Sequence, residues 1–135
     1  MGPGDPMVST GTMTNSFKLD GLYLYQDYVG DKVDGPFPSF KGQGYWGFNT
    51  SKGEYEGFWI DNASTMMQME AGAVDADGKV WEMHSEFLHP GSGESMKKKT
   101  IITLIDGDHH KMETFFVSDG QPDFKNMEIN YTRKS

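Results

Sequence analysis

Lys79–Ser118, KVWEMHSEFLHPGSGESMKKKTIITLIDGDHHKMETFFVS, decides the fold. It contains three β-like runs: Lys79 to Leu88, Met96 to Ile105 and His109 to Ser118. His89-Pro90-Gly91-Ser92-Gly93 and Asp106-Gly107-Asp108 separate them, and these residue types favour tight chain reversal. Side chains alternate within the first run. Trp81, Met83, Ser85 and Phe87 form an apolar row against Val80, Glu82, His84 and Glu86. No helical period interrupts the pattern, so the three runs read as consecutive antiparallel strands.

The same pattern extends in both directions. Residues 1–9 are rich in Gly and Pro and read as a flexible arm; residues 10–135 read as a single β-barrel domain. Gly11 to Leu19 ends at Asp20-Gly21, a two-residue hairpin signal, and Leu22 to Tyr28 answers it. Pro36 and Pro38 mark Asp31–Ser39 as a loop, because proline cannot occupy a central strand. Phe40 to Phe48 pairs with Glu54 to Asp61, and Thr65 to Val74 pairs with Lys79 to Leu88. Lys125 to Arg133 ends the series, with Met127, Ile129 and Tyr131 opposed to Glu128, Asn130 and Thr132. The reading is all-β, an antiparallel up-and-down meander of about nine strands. An open sheet of that size leaves two long edges and tends to curl, so closure into a small barrel is expected. Gly42, Gly44 and Gly47 fall in one run, where they permit bending or close approach of another group.

Composition narrows the function. The 135 residues contain no cysteine, which excludes thiol catalysis, disulfides and Cys-based metal sites and fits a reducing cytoplasm. The net charge of −8 argues against nucleic acid or an anionic membrane as partner. No apolar run is long enough to span a bilayer, and MGPGDPMVST lacks the regions of an export signal. The expected location is therefore cytoplasmic.

Phe40 to Thr65, FKGQGYWGFNTSKGEYEGFWIDNAST, resembles a bacterial family known as domain of unknown function 1579. Its Tyr-x-Gly-x-Trp-x-Asp strand followed by Ser-Thr corresponds to Tyr55, Gly57, Trp59, Asp61, Ser64 and Thr65. The closing Met127–Arg133 segment is also similar to the family's ending. The resemblance runs from about Gly11 onward and implies a calycin-like barrel related in architecture to lipocalins. It brings no established activity. Family members normally begin with a segment carrying a Gly-x-Trp-type motif, and this chain starts after it. The resemblance therefore implies an exposed edge and a homodimer, with Leu22, Leu24 and Tyr28 adding burial near that edge; alternatively, the arm of residues 1–9 folds across the seam and keeps the protein monomeric.

The barrel interior is the expected binding site for a small, partly apolar molecule. Its expected lining is Trp46, Trp59, Asp61, Met67, Met69, Trp81, Met83 and Tyr131. Met67, Met69 and Ala71 share one face in this reading, and flexible thioethers suit an adaptable pocket. The best catalytic candidate is Asp61, a general base beside the Trp59 platform; alternatively, Asp61 caps the following turn through the amide of Ala63 or Ser64. A third class is a structural protein whose barrel is simply filled. His84 between Glu82 and Glu86 has spacing that holds a metal on a sheet, but it also reads as a solvated strand face paired with Lys97–Lys99. His109 and His110 point to opposite faces and cannot chelate together. Gly42-x-Gly44-x-x-Gly47 has no helix after it for phosphate binding. No metal and no cofactor are expected.

Overall fold

The computed structural model of the chain describes residues 8–32, 35–36, 38–89 and 91–134. Most of the N-terminal arm lies outside the described residues. The strands are β1 (Gly11–Lys18), β2 (Tyr23–Gly30), β3 (Lys41–Asn49), β4 (Glu54–Asp61), β5 (Gln68–Val74), β6 (Val80–Leu88), β7 (Ser95–Leu104), β8 (His109–Val117) and β9 (Phe124–Thr132). Each pairs with its chain neighbour in one nine-stranded antiparallel sheet. No helix among the described residues is long and apolar enough to cross a membrane.

Turn chemistry accounts for the reversals. The Asp75 carboxylate accepts hydrogen bonds from the backbone of Lys79 at 2.9 Å and Val80 at 3.1 Å, while Gly78 takes a positive φ of 70°. The Lys79 amide, with that of Val80, holds the Asp75 carboxyl below its ordinary range. The Asp20-Gly21 turn is longer than its sequence implies. Lys18 pairs with Tyr23, and Leu19, Asp20 and Gly21 all adopt positive φ, at 53°, 63° and 83°. The last strand before the central hairpin also starts later than expected, at Gln68 rather than Thr65. Asn62 accounts for the delay: its side chain bonds Lys41 N at 3.0 Å and Ser39 O at 2.9 Å, tying this stretch to the start of β3.

The sheet forms a curled half-barrel. Among the described residues β1 pairs only with β2 and β9 only with β8, so the expected closing ladder is not found. Strand parity gives the physical reason. Nine successive antiparallel neighbours leave β1 and β9 parallel, and closure would need a ladder unlike every other in the sheet. The two edges meet at their ends instead, where Lys134 Nζ donates to Thr12 Oγ1 at 3.3 Å.

Register divides the side chains between the two faces. The inner face carries Met83 opposite Gly72 and Thr100, and Thr100 opposite Thr114. Met83, Thr100 and Thr114 are only 2%, 3% and 2% exposed. Gly42 and Gly44 of β3 lie on this face and make room for indoles, while Gly47 lies on the outer face against Tyr23. A Cβ on Gly42 would meet Trp59 Cζ2 at 2.0 Å, and one on Gly44 would meet Trp46 Cη2 at 2.2 Å. Both tryptophans therefore lie flat across β3, and the three-glycine cluster is explained by packing rather than by ligand approach.

Candidate functional site

The inner face is a trough with an aromatic floor. The pairs Trp46–Gly57, Gly44–Trp59, Gly42–Asp61, Val74–Trp81 and Gly72–Met83 bring five of the expected lining residues onto it. Tyr131, opposite His110 in the β8–β9 ladder, is the sixth. Concave curvature draws side chains together across intervening strands. Tyr55 and Trp81 approach over β5 with ring centroids 6.2 Å apart, and Phe87 and Phe116 approach over β7 at 6.3 Å. Trp46 and Trp59 are 6.1 Å apart.

Met67 and Met69 do not line this trough, which corrects the sequence reading. Met67 precedes β5, and Met69 pairs with Phe58 on the outer face. They are 74% and 62% exposed. The outer face carries its own aromatic stripe, with Tyr45 between Tyr25 and Phe58. Met69 extends that stripe, so its apolar character is not a mark of the interior.

Asp61 is engaged on both oxygens. Oδ2 accepts from Trp59 Nε1 at 3.0 Å and Oδ1 accepts from Ala63 N at 3.0 Å. This is the turn-capping arrangement, extended by an anchor for the indole. It gives the carboxylate a positioning task and favours it over proton abstraction.

A polar row crosses the apolar trough. Gly57 pairs with Glu70, and Ser85 pairs with Lys98. The β5–β6 ladder ends at Ala71–His84, and Glu70 and Ser85, the next residue on each strand, line one cavity. Lys98 Nζ donates across β6 to Gln68 Oε1 at 2.8 Å. Glu70 Oε2 and Ser85 Oγ are shielded from solvent and have no hydrogen-bond partner. Buried polar atoms are rarely left unpaired, because each then bears its full desolvation cost. A cavity of about 740 Å³ has Gly57, Glu70, Ser85 and Lys98 of this row in its wall, together with outer-face residues such as Tyr45, Phe58 and Met69.

Sequence reading overlooked Glu70 and Gln68 because it placed β5 one residue out of phase, and it assigned Lys98, with Lys97 and Lys99, to a solvated strand face. Nothing local marked Glu70 as interior, since Gly57, the residue opposite it, gives its space to Trp46.

At the end where the edges meet, His110 stacks on Tyr131, with centroids 4.3 Å apart and planes 7° from parallel. Burial lowers the His110 pKa and pushes Tyr131 up to about 12, with Tyr28 adding to the latter. His109 faces the other way and contacts Asp106 Oδ1 at 2.9 Å. His84 contacts Glu82 at 3.0 Å on the exposed outer face, while Glu86 accepts from Ser95 Oγ. The backbone amides of Gly91 and Ser92 donate to His89 Nδ1 within its turn. Among the described residues no group of three or more His, Cys, Asp or Glu side chains is arranged to hold a metal ion.

The family model described as "Protein of unknown function (DUF1579)" matches residues 1–133. The chain belongs to this family. No curated protein matches the sequence. Family membership thus carries no reaction with it, and the chemistry rests on the trough. In this DUF1579 member the Tyr55-x-Gly57-x-Trp59-x-Asp61 strand has a structural basis. Gly57 leaves room for Trp46, whose ring a Cβ there would meet at 2.5 Å, and Asp61 holds the Trp59 indole in place.

Proposed function

We propose that this protein binds a small, partly apolar molecule along the inner face of its half-barrel, which acts as a calycin-like container. The observation that carries this reading is an interior that is aromatic but unfilled. Among the described residues Met83 is the only fully buried apolar side chain, although Trp46, Trp59, Trp81 and Tyr131 line the same face. A filled structural barrel of this length would cover more of its apolar side chains. An enzymatic reading through Asp61 is the weaker alternative, since both carboxylate oxygens already accept hydrogen bonds. Native mass spectrometry of freshly purified protein tests the proposal. A retained non-protein mass released by organic solvent is expected; a clean apo mass, with no uptake of added apolar probes, contradicts it.

A second copy is the proposed cover for the seam. Among the described residues β1 pairs on one side only, and it carries Phe17, 72% exposed on the inner face, while Phe124 of β9 is 66% exposed. The chain exposes 9970 Å², against about 7,100 Å² for a compact monomer of this length. The excess is ample for a standard interface of roughly 800 Å² per partner. Sedimentation equilibrium at micromolar concentration distinguishes the dimer expected here from a monomer. The acidic charge supports a partner other than nucleic acid or an anionic membrane, and the absence of cysteine supports a cytoplasmic setting.

A further inference from the structure

We infer that the row Glu70–Ser85–Lys98 is the polar anchor of the trough and selects an uncharged, hydroxylated head on an otherwise apolar ligand. The inference rests on the proposed binding function and adds the ligand's chemical class. Three observations carry it.

First, Glu70 Oε2 and Ser85 Oγ are both occluded and both lack a partner. Glu70 needs a donor, since a carboxylate only accepts. Ser85 can donate or accept. Second, Lys98 is held over the trough by Gln68 at 2.8 Å and retains further protons to donate. One side of the anchor therefore asks for a donor and the other for an acceptor. A hydroxyl supplies both, and a vicinal diol can serve all three side chains together. Third, the row contains one acidic and one basic side chain, so neither sign of head group suits it. A carboxylate head on Lys98 would lie beside Glu70, and an ammonium head on Glu70 would lie beside Lys98. An anion or cation thus meets like charge in the same row.

The surroundings define the other end of the ligand. Trp46 flanks the row over Gly57, and Phe116 pairs opposite Lys98. Phe87, two residues along from Ser85 on the same face, packs against Phe116. Trp46, Phe87 and Phe116 give a chain attached to the head an aromatic surface to lie on. The ligand class is therefore a neutral hydroxylated amphiphile, with the monoacylglycerols as a convenient representative.

Displacement of a neutral naphthylamine fluorophore by three probes of equal chain length tests the inference. The probes are monodecanoylglycerol, decanoate and decyltrimethylammonium, each used below its micelle threshold. Wild-type protein should bind the glycerol ester roughly tenfold more tightly than either ion, the discrimination expected when buried polar groups are otherwise left unpaired. Glu70→Gln and Lys98→Met should each erase most of that preference, with circular dichroism and thermal melts showing that the variants are folded. Equal affinity for all three probes, a preference for either ion, or a glycerol-ester preference that survives both substitutions overturns the anchor and leaves the trough reading standing. Failure of the fluorophore and every probe to bind overturns the trough reading itself.

Discussion

β3 and β9 are both nine-residue strands of one antiparallel sheet, yet they are buried differently. β3 has a ladder on each side, and two indoles lie over its buried Gly42 and Gly44. β9 has one neighbour. Only Ile129 and Tyr131 along it are partly covered, while Phe124 and Met127 remain 66% and 42% exposed. Both strands carry apolar residues at alternate positions, so alternation alone does not fix burial. The number of paired edges and the curvature above the strand decide it. The centre of the sheet packs against itself, whereas its rim presents apolar surface and unpaired backbone to whatever covers the seam.

The largest effect should come from breaking the packed side. Trp59→Ala removes an indole that lies on Gly42 and bonds Asp61, and should cost about 3 kcal/mol in chemical denaturation. A midpoint within error of wild type would show that the indole contributes no packing. Gly42→Ala should cost about 2 kcal/mol, because its Cβ displaces that same ring. The double variant should lose much less than the sum, since the clash disappears with the ring; simple additivity would separate the two residues.

The open side should respond differently. Phe124→Ser should change monomer stability by no more than about 0.5 kcal/mol, as expected for an exposed position, yet weaken self-association in sedimentation. A large loss of stability would place Phe124 inside the fold. His110 supplies a pH test at the meeting point of the edges. Its folded pKa lies below the ordinary 6.5, so the unfolded chain takes up the proton first. Stability should be flat above about pH 7 and fall as pH drops through the histidine range towards the folded value. His110→Phe should remove that part of the slope, and an unchanged slope would assign it to other groups. The smallest effect is expected at Met69→Gln, within about 0.5 kcal/mol, because the side chain is on the outer face.

Much of this contrast was legible in the sequence. Asp75–Gly78 and Asn49–Gly53 announce their reversals, and Trp81, Met83, Ser85 and Phe87 alternate cleanly, so the strands and their order follow from local chemistry. Closure did not follow, because it depends on strand parity and on how two distant edges meet. The phase of β5 was obscured for a related reason. Met67 and Met69 look like interior residues, but the outer face has an aromatic stripe that also accepts thioethers. That single phase error hid Glu70, and with it the polar row. Asp61 was read as either a cap or a base, and its contacts with Trp59 and Ala63 favour the cap.

The most direct test of the trough uses the chain's own fluorophores. All three tryptophans, Trp46, Trp59 and Trp81, lie on the inner face. Titration with a neutral naphthylamine that absorbs tryptophan emission should give saturable energy transfer, with loss of donor signal in proportion to occupancy. Transfer should be abolished by a competing apolar ligand and should persist in Met69→Gln. Absence of saturable transfer, or transfer lost in Met69→Gln, would contradict binding along the inner face.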